Sequence, residues 1–270
     1  MSTTTSVLER EAPRAAVDAR HAPIPMSRIL AVELRKMFDT RAGSWMLASI
    51  GILSLLATGA VIVFAPESEQ TYETFATAFG FPMAVVLPMI AVLSVTGEWS
   101  QRTALTTFTL VPSRGRVIAA KAIGAALVGV VSMVLAGLIG ALGNVVGTAI
   151  SGVPTTWNVS LPEFSMIILA NVLGMAVGFM LGVLFRSSAG AIVGYFVFSL
   201  VLPGVSGALA SAQEWYRDAM PWFDFNDAQS ALFNGLPSAQ QWAHLAVAGL
   251  IWLVVPLAIG LRLVLRSEVK

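Results

Sequence analysis

The chain has 270 residues, of which 56% are hydrophobic and only 11% are Asp, Glu, Lys or Arg. A soluble domain is typically about 25% charged, and a water-soluble fold of this size could not cover its surface with so few charges. The composition argues against a soluble enzyme, a collagen-like chain or a disordered chain, and it indicates an integral membrane protein. The net charge of +1 gives no case for nucleic-acid binding, and the absence of cysteine excludes disulfides, thiolate metal sites and thiol catalysis.

Residues 1–25 are polar and rich in Pro, Ala and Thr, and they contain three arginines but no apolar core. A signal peptide needs such a core, and the first apolar segment that follows is too long to be one. The composition therefore predicts a disordered tail.

The segment Met26–Thr40 has helical periodicity, with apolar side chains on one side and Arg28 and Arg35 on the other. A cationic amphipathic helix at this place predicts an interfacial helix over residues 26–41, lying along the membrane surface. Glu33 falls within the apolar arc. Either its carboxylate reaches out to the polar surface, or it pairs with a cation from the loop after the second membrane span.

Six segments are long and apolar enough to cross a bilayer, which takes roughly 20 residues at 1.5 Å each. None of them contains Asp, Glu, Lys or Arg. They predict an all-α polytopic membrane protein with six transmembrane helices. The third segment is longer than a bilayer requires, so it either tilts or its Asn144–Ile150 end emerges. The six segments are residues 44–64, 75–96, 122–150, 164–185, 189–212 and 242–261.

Fifteen of the sixteen Lys and Arg residues lie on one side of this six-span arrangement, in the amino-terminal segment, two loops and the carboxy-terminal tail. Only Arg217 lies on the other side, together with eight acidic residues. Because short cytoplasmic loops carry an excess of Lys and Arg, both termini are predicted to be cytoplasmic.

The loop Gly97–Lys121 after the second span is long, and its middle part Gln101–Leu110 can form a short Thr-rich helix. Such a helix is intrinsically weak and needs a packing partner to persist. Pro112 ends it, and Ser113 is placed to cap the helix of the third span. The alternative is a solvated loop whose Lys and Arg residues only keep it on the cytoplasmic side of the membrane.

The opposite side carries the 29-residue segment Gln213–Gln241, which is rich in Trp, Tyr and Phe. Aromatic residues at this density favour the membrane interface. Pro221 and the Gly235–Pro237 turn are expected to divide the segment into two short pieces, which are re-entrant or interfacial helices. The alternative is a loosely attached aromatic loop.

Small residues recur at four-residue spacing within two spans and allow close helix packing, within the subunit or between subunits. They are Gly143, Gly147, Gly174, Gly178 and Gly182. Asn171 is the most conspicuous polar residue inside a span, and we expect it to bond a neighbouring helix.

The chemistry of an enzyme or an ion-coupled transporter is missing from the sequence. The spans hold no Asp, Glu, Lys or Arg for a proton relay, and only His244, near the end of a span, can titrate. There is no Gly-Lys pair and hence no phosphate loop. His21 and His244 have no partner at metal-ligand spacing. We therefore expect no catalytic residue, no metal and no cofactor. If the chain transports, another polypeptide must supply the energy.

Two segments resemble a known family: VELRKMFDTRAGSW before the first span, and GEWSQRTALTTFTLVPSRGRVIAAK after the second. They are similar to the membrane subunits of ABC-2 type transporters, and the resemblance extends from about Ile29 to Lys270. Glu98, the Arg102-Thr103 pair, Pro112-Ser113-Arg114 and Lys121 stand in the familiar order. Members often have Gly where this chain has Arg102.

The resemblance implies that residues 26–270 form an ABC-2 type transmembrane domain in the cell membrane. It implies a half-transporter that pairs with a second permease subunit, as a homodimer or a heterodimer, and docks a separate ATP-binding subunit. The expected function is export across the cell membrane driven by ATP, with no catalysis by this chain. The alternative is a membrane anchor or assembly factor that recruits a cytoplasmic partner without transport. The sequence does not identify the substrate.

The resemblance also assigns residues to two regions. The expected contact with the ATP-binding subunit consists of Glu98, Arg102, Thr106, Thr107, Phe108 and Arg114. The expected external gate consists of Trp222, Phe223 and Asp224.

Overall fold

A computed structural model describes residues 24–39, 41–100 and 113–266, and this part of the chain is built of helices without any strand. Four short turns connect or interrupt the helices: 3₁₀ turns at Glu67–Glu69 and Ala231–Phe233, and π turns at Val197–Val201 and Leu250–Val254. The helices are α1 (Met26–Asp39), α2 (Arg41–Phe64), α3 (Tyr72–Ser100), α4 (Arg114–Ser151), α5 (Leu161–Phe185), α6 (Ser188–Phe196), α7 (Leu202–Ala212), α8 (Glu214–Phe223), α9 (Phe225–Ser230), α10 (Ala239–Gly249) and α11 (Val255–Arg266).

Six stretches of helix are long and apolar enough to span a membrane, which confirms the predicted all-α, six-span fold. The first two lie within α2 and α3, and the third and fourth are α4 and α5; the fifth joins α6 and α7 through a π turn, and the sixth joins α10 and α11 in the same way. Their bounds extend a few residues beyond the predicted segments, because the flanking polar residues are helical too. They are Gly43–Phe64, Tyr72–Trp99, Arg114–Ser151, Leu161–Phe185, Ser188–Ala212 and Ala239–Arg266.

The second span, α3, lies at the centre of the fold, packed against α2, α4 and α5. Phe75, Phe79, Met83 and Leu87 of α3 have no exposed surface. They recur every four residues and so lie in one stripe along the helix.

Glycine faces bring the α5 and α3 backbones close together. A Cβ atom at Gly178 would lie 2.7 Å from the carbonyl oxygen of Pro88, and one at Gly182 would lie 3.4 Å from that of Val92. Gly174 lies on the same face, near the ring of Pro88. A larger residue at Gly178 would therefore push these two spans apart.

Glycines of α4 make a second close approach within the same chain. Gly143 lies against Thr58 of α2 and Phe75 of α3, and Gly147 lies against Ile62 of α2 and the same Phe75. These contacts bring α2, α3 and α4 together.

The two ends of the described chain lie on one face of the bundle, here called the terminal face. Arg116 Nη2 donates a hydrogen bond to the carbonyl oxygen of Ile24 at 2.6 Å, and Arg114 Nη1 donates to that of Val264 at 3.2 Å. The start of α4 thus lies beside both the first and the last described residues. The opposite face, here called the far face, carries the connection Ala65–Thr71 and residues 152–160.

α4 has 38 residues, and at 1.5 Å per residue it is about 57 Å long. Its far-face end is surrounded by polar connections. Asn144 Nδ2 donates to the carbonyl oxygen of Thr156 at 2.9 Å, and Ser151 Oγ donates to Gln70 at 3.1 Å. Of the two alternatives for this helix, tilt or emergence, these polar surroundings favour emergence of its end.

Three local expectations need correction. Helix α1 ends at Asp39, and Arg41 is the first residue of α2, the helix that contains the first span. Ser113 stands before α4, but its side chain makes no capping hydrogen bond. Asn171 Nδ2 donates to the carbonyl oxygen of Ile167 one turn earlier in its own helix, at 2.9 Å, instead of bonding a neighbouring helix. The carbonyl of the preceding turn is the acceptor nearest to an amide buried within a helix.

Candidate functional site

Helix α1 packs along the terminal-face end of α4. Ile29, Glu33 and Met37, which are four residues apart, form its buried stripe and are between 3% and 8% exposed. Arg35 lies on the exposed side and forms only a loose pair with Asp39, at 3.8 Å. The amphipathic pattern therefore directs one face of α1 onto the bundle, with a carboxylate in the middle of that face.

The carboxylate of Glu33 belongs to a cluster of four charged side chains, here called the charge cluster: Glu33 and Lys36 of α1, Glu98 of α3 and Lys121 of α4. Glu33 accepts from Lys121 Nζ at 2.5 Å and from Lys36 Nζ at 2.8 Å. Both ammonium groups also lie 3.2 Å from Oε1 of Glu98. Of the two alternatives for Glu33, the structure shows the ion pair.

The charges of the cluster balance, since two carboxylates face two ammonium groups. The side chains of Glu33, Lys121 and Glu98 are only 4%, 5% and 7% exposed, whereas that of Lys36 is 43% exposed. Lys121 also donates to the carbonyl oxygen of Ser94 at 3.0 Å. Lys36 is therefore the member of the cluster that faces the surface, and Lys121 is the buried centre that joins the three helices.

The neighbouring charges fix the protonation states of the α1 members. Burial by itself would raise the pKa of Glu33, but the ammonium groups of Lys121 and Lys36 outweigh it and hold this pKa below its ordinary value of 4.5. Burial would likewise lower the pKa of Lys36, but Glu33 and Glu98 raise it above 10.5. Both side chains are therefore charged at neutral pH.

The residues predicted to contact an ATP-binding subunit fall into two groups. Glu98 lies in the charge cluster, with its carboxylate directed at the two lysines, and Arg114 lies at the start of α4, bonded to the carbonyl oxygen of Val264. Arg102, Thr106, Thr107 and Phe108 lie outside the described residues. The segment that carries them follows α3, which ends two residues after Glu98, and precedes α4, which begins at Arg114, seven residues before Lys121.

Sequence reasoning offered a cation of the loop Gly97–Lys121 as a partner for Glu33, but it did not single out Lys121, and it assigned no role to Lys36. Glu33 within an apolar arc was the available signal, because a buried carboxylate requires a cation. Lys36, three residues later in the same helix, was the nearest candidate. The partner Lys121 is 88 residues away, and no local pattern shows which cation of the loop forms the pair.

The predicted gate residues lie at the far face, where α8 meets α9. Pro221 lies inside α8, so the expected division at this proline is wrong. The break comes at Asp224, whose Oδ1 accepts from the backbone N–H groups of Asn226 at 2.9 Å and Asp227 at 3.2 Å. This carboxylate caps α9, which makes Asp224 the point where one helix ends and the next begins.

The α8–α9 segment is attached to the spans by specific contacts. The indole ring of Trp222 lies edge-on to the imidazole of His244, with 4.4 Å between ring centroids. Trp252 Nε1 donates to the carbonyl oxygen of Phe223 at 2.7 Å, and Gln229 Nε2 donates to that of Ala170 at 2.6 Å. The segment is therefore packed against the bundle, and the alternative of a loosely attached loop is wrong.

An acidic side chain of α9 lies in this packed region. Burial and then the charge of Asp224 raise the pKa of Asp227 above its ordinary value of 3.8, while His244 acts in the opposite direction. The far face thus holds two carboxylates and an imidazole among aromatic rings.

Comparison with known proteins identifies the family. The model of the family described as "ABC-2 family transporter protein" matches residues 13–269, which is nearly the whole chain. A comparison with curated proteins gives no match. A helix packed on the terminal face, six spans and a helical far-face segment before the last span agree with the parts that the resemblance implied. The chain is a multi-pass membrane protein, and it belongs to the ABC-2 family of transporter proteins.

Proposed function

We propose that this chain is the permease subunit of an ATP-driven exporter, and that a separate ATP-binding subunit hydrolyses the ATP. Membership of the ABC-2 family supports a permease. The observation that carries the proposal further is the charge cluster, which ties the surface helix α1 to the ends of two spans.

In this proposal the terminal face is cytoplasmic. The Lys and Arg distribution supports this orientation, because fifteen of the sixteen residues lie in segments on that side. The far face, with Trp222, Phe223 and Asp224, is then external.

The charge cluster gives α1 a mechanical role. Separating Glu33 from Lys121 would leave each of these buried charges with a single partner, Lys36 or Glu98, and this costs free energy, because breaking a buried ion pair outright costs about 3–5 kcal/mol. Helices α1, α3 and α4 therefore move together when a force acts on any one of them. A movement of a bound ATP-binding subunit against α1 would therefore be transmitted through the charge cluster to the spans.

The contact itself is proposed for the loop between α3 and α4, through Arg102, Thr106, Thr107 and Phe108. Glu98 and Arg114 are assigned to its two ends. Since the carboxylate of Glu98 is directed at Lys36 and Lys121, we give it the role of positioning the loop rather than of binding the partner. We assign the exposed side chains Val32 and Phe38 of α1, which are 49% and 52% exposed, to the same contact.

The α8–α9 segment is the proposed external gate. Its movement away from the last span would break the hydrogen bond from Trp252 to Phe223 and separate Trp222 from His244. These are contacts that a rearrangement of the spans would have to break in order to open the gate. A second permease subunit, identical or different, completes the path in this proposal.

Reconstitution into vesicles tests the proposal. The purified chain should neither bind nor hydrolyse ATP, and a proton gradient alone should drive no transport. Addition of its ATP-binding subunit and ATP should start the export of substrate. Transport by the isolated chain on a proton gradient would overturn the proposal and indicate a secondary transporter.

A further inference from the structure

A recess of about 390 Å³ lies between α5, α9 and the last span, in the far-face half of the bundle. Its volume is in the range of a small-molecule site. Every residue that lines it is apolar, including Leu169 and Leu173 of α5, Phe225 of α9, and Trp242 and Val254 at the two ends. Such a recess provides no hydrogen-bond partners for a water molecule, which needs two to four of them.

The depth of the recess matches one half of a bilayer. Trp242 lies one turn after Ser238, which caps the last span at the far face. From Trp242 to Val254 the helix advances about 18 Å, and half of a hydrocarbon core of about 30 Å is about 15 Å. Trp242 stands at the far-face end, where a tryptophan favours the interface between headgroups and hydrocarbon.

The volume and the lining of the recess suit a single extended chain lying along the last span. A volume of about 390 Å³ drawn out over about 18 Å has a mean cross-section of roughly 20 Å². An extended alkyl chain has about this cross-section, whereas a helix with its side chains is about 10 Å across and cannot enter.

The recess is open towards the membrane. Leu250 and Val254 on its rim are 54% and 52% exposed. Phe225, which is 1% exposed, forms part of the wall, and the absence of a side chain at Gly249 leaves space beside the Phe225 ring. Hydrocarbon can therefore enter from the side while α9 closes the recess from within.

We propose that this recess binds one acyl chain of a membrane phospholipid. The apolar lining, the depth of one leaflet and the narrow cross-section together select an alkyl chain, and the bilayer supplies one at this position. The bound chain packs on Phe225, the first residue of α9, and so supports the α8–α9 segment from the membrane side. The proposal does not depend on the direction or the energy source of transport.

Photolabelling of the full-length chain in vesicles tests it. The probe is a phosphatidylcholine with a diazirine at the end of one acyl chain, and labelled peptides are mapped by mass spectrometry. We expect label concentrated on the α5 residues Leu169 and Leu173 and on the last span near Leu250. Gly249→Leu fills the recess and should reduce this label about tenfold, or about 1.4 kcal/mol in binding.

Gly204→Leu is the matched control, because a side chain at Gly204 in the fifth span meets open space, and it should leave the label unchanged. Ala246→Phe fills the same recess from another position and should reproduce the effect of Gly249→Leu. All three variants should elute as single species with the unfolding temperature of the wild type. A reduced label then results from filling of the recess and not from misfolding.

Two comparisons distinguish other occupants. Exchange of phosphatidylcholine for phosphatidylglycerol should leave the label unchanged, because the lining is entirely apolar, whereas dependence on one headgroup would contradict the proposal. Equal labelling of wild type and Gly249→Leu would overturn it. A disulfide between two copies carrying Leu250→Cys, together with no lipid label in the recess, would show that a second subunit covers it and would also overturn the proposal.

Discussion

Lys121 of the third span and Glu33 of the surface helix are 88 positions apart in the sequence, and their side chains meet at 2.5 Å inside the protein. This ion pair is the centre of the charge cluster. It makes the surface helix a structural part of the bundle, and it places a rigid junction next to the loop proposed to contact an ATP-binding subunit.

The first prediction concerns the energy of this pair. Lys121→Met should destabilise the protein by about 3–5 kcal/mol, because it leaves two carboxylates of the cluster facing a single ammonium group. Glu33→Leu combined with Lys121→Met should cost much less than the two changes summed, because Lys36 and Glu98 remain paired. Denaturant unfolding of all four forms in detergent measures the coupling.

The exposed pair Arg35 and Asp39 on the same helix is the matched control, and its removal should change stability by no more than about 1 kcal/mol. Additive effects of Glu33→Leu and Lys121→Met would show that the two side chains do not interact energetically.

The second prediction concerns pH. The pKa of Glu33 in the folded protein lies below its ordinary value of 4.5, so its contribution to stability is complete above pH 4.5 and is lost as the pH falls through the folded pKa. The pKa of Lys36 lies above 10.5, so its contribution is complete below pH 10.5 and is lost as the pH rises through the folded pKa. Stability should therefore have a plateau between these limits.

The unfolding temperature measured across this pH range checks the prediction. Glu33→Gln should reduce the loss at acid pH, and Lys36→Met should reduce the loss at alkaline pH. If Glu33→Gln leaves the loss of stability at acid pH the same as in the wild type, other carboxylates determine that loss.

The third prediction concerns orientation. The chain contains no cysteine, so single cysteines can be introduced without a background. Cysteine at Glu69, Asn158 or Asn226 should react with a membrane-impermeant reagent from outside, whereas cysteine at Ser113 or Ser267 should react only after permeabilisation. We expect this orientation because segments rich in Lys and Arg are retained on the cytoplasmic side of the membrane. External labelling at Ser113 would reverse the proposed topology.

The number and type of the spans could be predicted from the sequence, because length and continuous hydrophobicity decide whether a helix crosses a bilayer. Helix breaks were harder to predict. Pro221 has the local signature of a break but lies inside α8, since the contacts of the segment hold the helix together for two more residues. The π turn at Leu250–Val254 precedes Pro256, which cannot donate a backbone hydrogen bond to the preceding turn. The proline signals an irregular helix, but it does not tell that the chain continues through a π turn.

The candidate site could be predicted only in part, because it depends on pairings between distant residues. Glu33 was recognisable as a carboxylate on an apolar face, but its main partner Lys121 comes from another span. Asn171 was expected to reach a neighbouring helix, and its amide instead bonds the preceding turn at Ile167. Which acceptor a buried amide finds depends on the local packing, and that is not encoded in the residue type.

The fourth prediction concerns the coupling role of the cluster. In a complex of the permease with its ATP-binding subunit, Lys121→Met should reduce transport more than it reduces association of the two proteins. The reason is that the mutation loosens the joint between α1 and the spans while the loop residues that bind the partner are unchanged. Transport and co-purification, measured on the same preparations, separate the two effects. An equal loss of both would assign the cluster to binding rather than to transmission.

The central claim is that this permease works with an ATP-binding subunit through the loop between α3 and α4, and co-purification of that subunit tests it most directly. Phe108→Ala removes the large aromatic side chain proposed as the anchor, which should cost about 2 kcal/mol and weaken association roughly 30-fold. Phe81→Ala, at a position of α3 where the side chain is 74% exposed, and Asn171→Ala, inside α5, should leave association unchanged. Recovery of an ATP-binding subunit with the wild type and both controls, and its loss with Phe108→Ala, is the predicted result. Recovery of no ATP-binding protein with the wild type, or equal recovery with Phe108→Ala, would contradict the account.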